Sequence, residues 1–291
     1  MSKAYYKSGI SPTLLRTFTN NTKSRSVQVW LTPCIVTKFG KSTSSPACNV
    51  LINPGNPQLS GVSKFPYFPK GGPVPKDYVK GSAKDWQPLG YVSNWGGMDV
   101  GSGMLYASSV VDGLVHQLGG WQLRLQCSMK PVIEGDDERC PVGTCVTTYA
   151  RGGQLLEEYD IIVHTTPPFY RYHNQDNPIP DLQQCYRNSL STAASVCGDN
   201  GVIALPLLGA GGRGFPLDLA IDVASSESIE WCGVTIDEDT DNNEKNHYDG
   251  NRHNIVAFGI PELSNAEALI RAIEEKAKSC LKCLTNSKGL Q

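Results

Sequence analysis

Residues 201–215, GVIALPLLGAGGRGF, constrain the fold of this chain more than any other stretch. The apolar run Val202 to Leu208 is short for a helix, carries β-branched residues and ends at a glycine, so it predicts a buried strand. A glycine-dense loop, Gly209 to Gly214, follows at once. After Pro216, the segment Leu217 to Val223 predicts the start of a helix. Strand, glycine loop and helix together accept anions well. Glycines let backbone N–H groups approach a ligand closely, and the helix N-terminus adds a favourable dipole. The same arrangement also serves as an ordinary strand–helix turn.

The chain has 291 residues, enough for one large or two modest domains. A hydrophobic content of 40% against 19% charged residues supports a real core and argues against general disorder. A formal net charge of -2 argues against an extended nucleic-acid surface. No apolar run reaches the length of a membrane span, and MSKAYYKSGIS lacks the apolar region of a secretory leader. An intracellular, cytoplasmic or nuclear protein with reduced thiols is therefore expected.

Patterning predicts a polar N-terminal arm over 1–26, then strands at Val27 to Leu31 and Asn49 to Ile52, with a polar connection between them. Pro57 to Gly103 is irregular, rich in Pro, Gly and aromatics, and reads as a long insertion. Ser109 to Leu118 predicts a capped helix that Gly119-Gly120 ends, and Trp121 to Leu125 a strand. Thr144 to Tyr149 and Asp160 to His164 predict further strands. The stripe Leu182, Cys185, Tyr186, Leu190, Ala193 and Cys197 predicts a helix that stops at Gly198. A helix to about Glu230, a short strand at Cys232 to Ile236, a strand at Asn254 to Phe258 and a final helix capped by Ser264 and Glu267 complete the chain. Strands alternating with helices indicate a layered α/β domain with a mixed sheet. It should span 27–285 as one unit, with insertions at 57–103 and 237–253 and a tail at 286–291.

The order of these pieces resembles the macrodomain family. The matching segments are Ile52-Asn53-Pro54-Gly55-Asn56, Val111-Asp112-Gly113-Leu114-Val115-His116, Asp160 to His164, Leu182 to Ala193 and Pro206 to Pro216. The resemblance implies a three-layer α/β/α fold that binds ADP-ribose or ADP-ribosylated protein. It implies ligand contacts from Asn53, Asn56 and the loop Gly209, Ala210, Gly211, Gly212, Arg213, Gly214 and Phe215. It further implies that Asp112, with Asn56, would orient the scissile ribose in a hydrolytic member. The sequence departs from the family pattern in four places, one of them the unusually long stretch between the asparagine motif and the helix at Val111. The early aspartate of the adenine pocket is missing beside Pro33-Cys34-Ile35-Val36. The glycine run before the helix is Ala107-Ser108-Ser109-Val110, and Arg213 stands where an aromatic is common. A non-catalytic reader is thus as serious a reading as a hydrolase.

Asn53 and Asn56 also suit turn chemistry, and the dipole at a helix start alone accounts for Asp112. His116 and His164 lie on apolar patterns and read as packed histidines without an evident Cys or Asp partner. No metal or cofactor is expected. Cys280 and Cys283 form a lone pair, Cys140 and Cys145 are no stronger, and Asp237 to Gly250 lacks the glycine and glutamate of a calcium loop. Gly209, Gly211 and Gly214 satisfy a dinucleotide fingerprint with Asp237 downstream, but that motif normally opens a fold rather than following half of it.

Overall fold

The computed structural model describes residues 11–42, 48–61, 98–101, 104–107, 111–133, 137–151, 154–170, 177–233 and 253–288. Nine strands are described: β1 (Thr13–Thr19), β2 (Arg25–Leu31), β3 (Cys48–Pro54), β4 (Met98–Gly101), β5 (Met104–Ala107), β6 (Cys145–Tyr149), β7 (Ile161–Thr165), β8 (Asn200–Leu205) and β9 (His253–Ile260). Four helices accompany them: α1 (Val111–Ser128), α2 (Ile179–Cys197), α3 (Leu217–Cys232) and α4 (Leu263–Lys288).

Seven strands form one mixed sheet in the order β1-β2-β9-β8-β3-β7-β6. The five inner strands run parallel, and the edge strands β1 and β6 run antiparallel to their neighbours. β4 and β5 pair separately as a two-stranded ribbon. Both faces of the inner strands are buried, which is why they read as continuous apolar runs. Register aligns Val27, Val256, Ile203 and Val50 in one row across the sheet. That row packs beneath α2, α3 and α4. The alternate residues Leu51, Ile162, Ala204 and Ala257 face the opposite way and pack with Val115, Leu123 and Cys127 of α1. One helix on one face and three on the other give the α/β/α layering that the family resemblance implies. Ile35, Val36 and Phe39, in the expected polar connection, are buried and complete the α1 side.

Several local expectations are corrected. The 1–26 segment contains β1, a polar edge strand of which only Phe18 is buried, so it lacks the apolar pattern of the inner strands. Its ladder with β2 and the Asn20 side chain, which accepts from the Ser24 and Arg25 N–H groups, hold it. Gly119-Gly120 does not end α1. Gly120, at φ 60° and ψ -155°, kinks it, and Trp121 to Ser128 continue as helix rather than strand. Cys232 ends α3, and Gly233 closes it in the left-handed conformation, so the expected strand does not begin at Cys232, and the rest of it, 234–236, lies outside the described residues. α4 begins at Leu263, ahead of the expected caps. Ser109 of the expected first cap, the stretch Asp237 to Gly250 and most of the 57–103 insertion lie outside the described residues.

Candidate functional site

The chain leaves β3 towards β7 and β6, and leaves β8 towards β9. β3 and β8 are parallel neighbours, so their carboxyl ends flank the point where the strand order switches direction. Open α/β sheets bind ligands at such a crevice, because the two loops diverge above it. Here the two loops are Gly55 to Gly61 and Pro206 to Pro216.

The second loop is shaped from within. Gly209 sits at φ 82°, and a Cβ there would lie 3.0 Å from the Phe215 ring. Gly214 is also left-handed, at φ 75°. The Gly214 N–H donates to the Gly211 carbonyl at 3.0 Å, and the Phe215 N–H to the Gly209 carbonyl at 3.2 Å. Phe215 is fully buried against Tyr170, so its ring belongs to the core. Tyr186 of α2 accepts the Leu208 N–H at 2.9 Å and fixes the start of the loop. Nothing lies within 4 Å of a Cβ built on Gly211, so the loop crest is open there. α3 begins directly after Pro216 with no side-chain cap on its first turn.

Arg213 joins the two loops. Its Nη2 donates to the Gly55 carbonyl at 2.6 Å, and its guanidinium lies 4.2 Å from the centre of the Phe169 ring. The stacking holds a planar, permanently charged group at the crevice. The Gly55 N–H in turn donates to the carbonyls of Asn53 and Thr165, which fixes the first loop on β7.

Beneath the first loop lies a buried polar cluster. Asn53 Nδ2 donates to Asp112 Oδ1 at 2.7 Å and to His164 Nδ1 at 3.1 Å. His164 Nε2 is 2.8 Å from Thr148 Oγ1, and His116 Nε2 is 3.5 Å from Asp112 Oδ1. All of these groups are buried. Burial, with weaker contributions from His116 and Lys130, pushes the His164 pKa down to about 3. Burial also lowers that of His116, against the opposing pull of the Asp112 carboxylate. Both imidazoles are therefore neutral near pH 7. Asp112 sits in the first turn of α1, where the helix dipole favours a carboxylate, and its Oδ2 has no hydrogen-bond partner among the described residues.

The structure thus places the predicted residues at different depths. Gly209 to Gly214 and Arg213 line the crevice. Asn53 and Asp112 lie in the layer below. Asn56 bonds within its own turn, donating to the Gly61 carbonyl and accepting the Ser60 N–H. The two histidines, read as lacking an Asp or Cys partner, have Asp112 and Cys127 beside them. Tyr186 and Thr148 escaped the sequence reading. The apolar helical stripe carries Tyr186, but nothing in the local pattern marks its hydroxyl as a support for the loop.

Sheet and loops together define a three-layer α/β/α protein whose two loops diverge at the switch point of its strand order. The Macro domain family model matches residues 102–224. A macro domain-containing protein of Listeria monocytogenes serovar 1/2a is 35% identical over 133 residues, covering 45% of this chain and 68% of that protein. The chain belongs to the macro domain family. The ADP-ribose glycohydrolase MACROD2 of Xenopus laevis is 32% identical over 124 residues, 42% of this chain but 26% of that protein. A Xanthomonas axonopodis macro domain-containing protein is 31% identical over 121 residues, and the chain covers 63% of it. The chain therefore matches only part of the length of these relatives. Among solved structures, the Oceanobacillus iheyensis macrodomain with MES bound superposes with a TM-score of 0.56 at 16% identity, covering 91% of this chain and 98% of that one. The same macrodomain with ADP gives 0.54 at 16% identity, covering 92% and 97%. Both likenesses concern the fold.

Proposed function

We propose that this chain binds ADP-ribose, free or attached to a protein, in the crevice between the Gly55 to Gly61 and Pro206 to Pro216 loops. The observation that carries the reading is the Arg213 guanidinium, which lies between the glycine loop and Gly55 where a diphosphate would pass. Phosphate oxygens are stronger acceptors for guanidinium than a neutral carbonyl, so the Gly55 contact would give way to the ligand. Backbone N–H groups of the 209–214 loop and the uncapped start of α3 would complete the anion site. Family membership supports this reading, as do a relative named as an ADP-ribose glycohydrolase and a neighbour solved with ADP. Titration calorimetry of the full chain with ADP-ribose tests it.

A second reading, hydrolysis of an ADP-ribosyl linkage, rests on Asp112, whose Oδ2 has no partner among the described residues. Water would attack the anomeric carbon, the bond to the leaving oxygen would break, and that oxygen would take the proton. Asp112→Asn keeps the Oδ1 acceptor that Asn53 uses and removes the charge. Loss of turnover with binding retained would support the enzyme. Binding without turnover in the wild type would leave a reader.

A further inference from the structure

We propose that His116, Cys127 and His164 form a buried site for one zinc-class divalent ion, which ties both legs of the kinked helix α1 to strand β7. One ligand atom from each lies within 4.8 Å of the other two. Ligand atoms around tetrahedral zinc stand roughly 3.5 Å apart, given bonds of about 2.0–2.3 Å, so contraction of about 1 Å closes the set.

The convergence is not what a helix supplies by itself. A straight helix rising 1.5 Å per residue would separate positions 116 and 127 by about 16 Å along its axis. The break at Gly120 folds the second leg back, and its dihedrals lie where residues with a Cβ are rarely found. A Cβ built on Gly120 would meet nothing within 4 Å, so no close packing calls for glycine at this position. Both histidines and the cysteine are at most 1% exposed.

The chemistry of the set fits a borderline-soft cation. Imidazole nitrogen and thiolate sulfur are both donors that zinc accepts. Binding must expel the Cys127 proton to solvent as the S–H bond is replaced by a metal–sulfur bond. The thiolate and the Asp112 carboxylate, 3.5 Å from His116, together offset the two charges of the ion in this dry interior.

His164 has a defined way to join. An amide nitrogen only donates, so the Asn53 contact puts the lone pair on His164 Nδ1 and the proton on Nε2, facing Thr148. Ligation through Nδ1 would replace the Asn53 contact, and Thr148 would keep the outer N–H. This is the usual arrangement around a metal-bound histidine. Asn53 would retain Asp112. The proposal does not rest on ADP-ribose binding, although Asp112 borders both sites.

The test is to express the full chain in cobalt-supplemented medium, purify it without chelator, and measure metal content and the absorption spectrum. About one cobalt per chain with a thiolate-to-cobalt charge-transfer band is expected, and Cys127→Ser should lower the content below about 0.1 and abolish the band. The Cys280→Ser/Cys283→Ser double variant should keep both. Metal-free protein from the same medium, or a band that survives Cys127→Ser, would overturn the proposal. If Cys127→Ser does not fold, X-ray absorption of the cobalt-loaded wild type decides. One sulfur with imidazole nitrogens supports the site, and a shell of oxygens alone refutes it.

Discussion

Asn53 and Asp112 are joined by a 2.7 Å hydrogen bond that links the end of β3 to the first turn of α1. A carboxylate only accepts, so this bond fixes the Asn53 amide with its nitrogen inward. That nitrogen also meets His164 Nδ1 and thereby sets the histidine tautomer. In the metal-free protein, Asn53→Ala would strand two buried acceptors at once. We expect a loss of roughly 2–4 kcal/mol, read as a lower urea midpoint with unchanged slope. A variant as stable as wild type would mean that the cluster does not hold α1 to the sheet.

Acid should destabilise the metal-free protein as pH falls below about 6.5. The folded pKa of His164 is about 3, below the ordinary histidine value near 6.5. Above pH 6.5 neither the folded nor the unfolded state protonates it, and its contribution is fully present. Between 6.5 and 3 the unfolded chain takes up a proton that the native state refuses, so stability falls as pH falls. The slope approaches about 1.4 kcal/mol per pH unit for His164. The lowered pKa of His116 adds in the same direction. Urea midpoints at pH 7.0, 6.0 and 5.0 check this. A flat profile over that range would contradict neutral burial of the pair.

Glycines of the 209–215 loop should divide by role. Gly209→Ala forces a left-handed residue against Phe215 and should cost about 1–3 kcal/mol of stability. Gly211→Ala meets open space, so its stability should change by less than about 1 kcal/mol. Its effect should fall on ADP-ribose affinity, through crowding of the loop crest. Thermal melts and calorimetry on both variants separate the two roles.

Arg213→Ala should weaken ADP-ribose binding about tenfold or more, because it removes a charge-assisted contact to phosphate. Arg213→Lys should recover only part of this, since an ammonium cannot reproduce the planar stacking on Phe169. The salt dependence of the wild-type affinity should shrink in Arg213→Ala. Equal affinities in all three proteins would remove Arg213 from the site.

Much of the inner architecture was legible because apolar strands and striped helices follow simple periods. β3, β7, β8, α2 and the 209–215 loop stand in the predicted order, and that order carries the resemblance to the family. β1 escaped because an edge strand needs no apolar face, and its polar residues mimic a tail. The second leg of α1 escaped because two glycines ordinarily end a helix. Here Gly119 packs against Leu123 while Gly120 turns the chain and helix resumes. The cluster of Asn53, Asp112, His116, Cys127 and His164 was illegible for a deeper reason. Its members come from a strand end, two helical legs and another strand, and only sheet register and the kink bring them together.

Titration calorimetry of the purified full chain with ADP-ribose, with AMP, ADP and NAD alongside, tests the proposed function most directly. Micromolar binding of ADP-ribose in preference to the other three, lost on Arg213→Ala, is the expected result. No heat with ADP-ribose from a folded protein would contradict it, and the family relationship would then describe the fold alone.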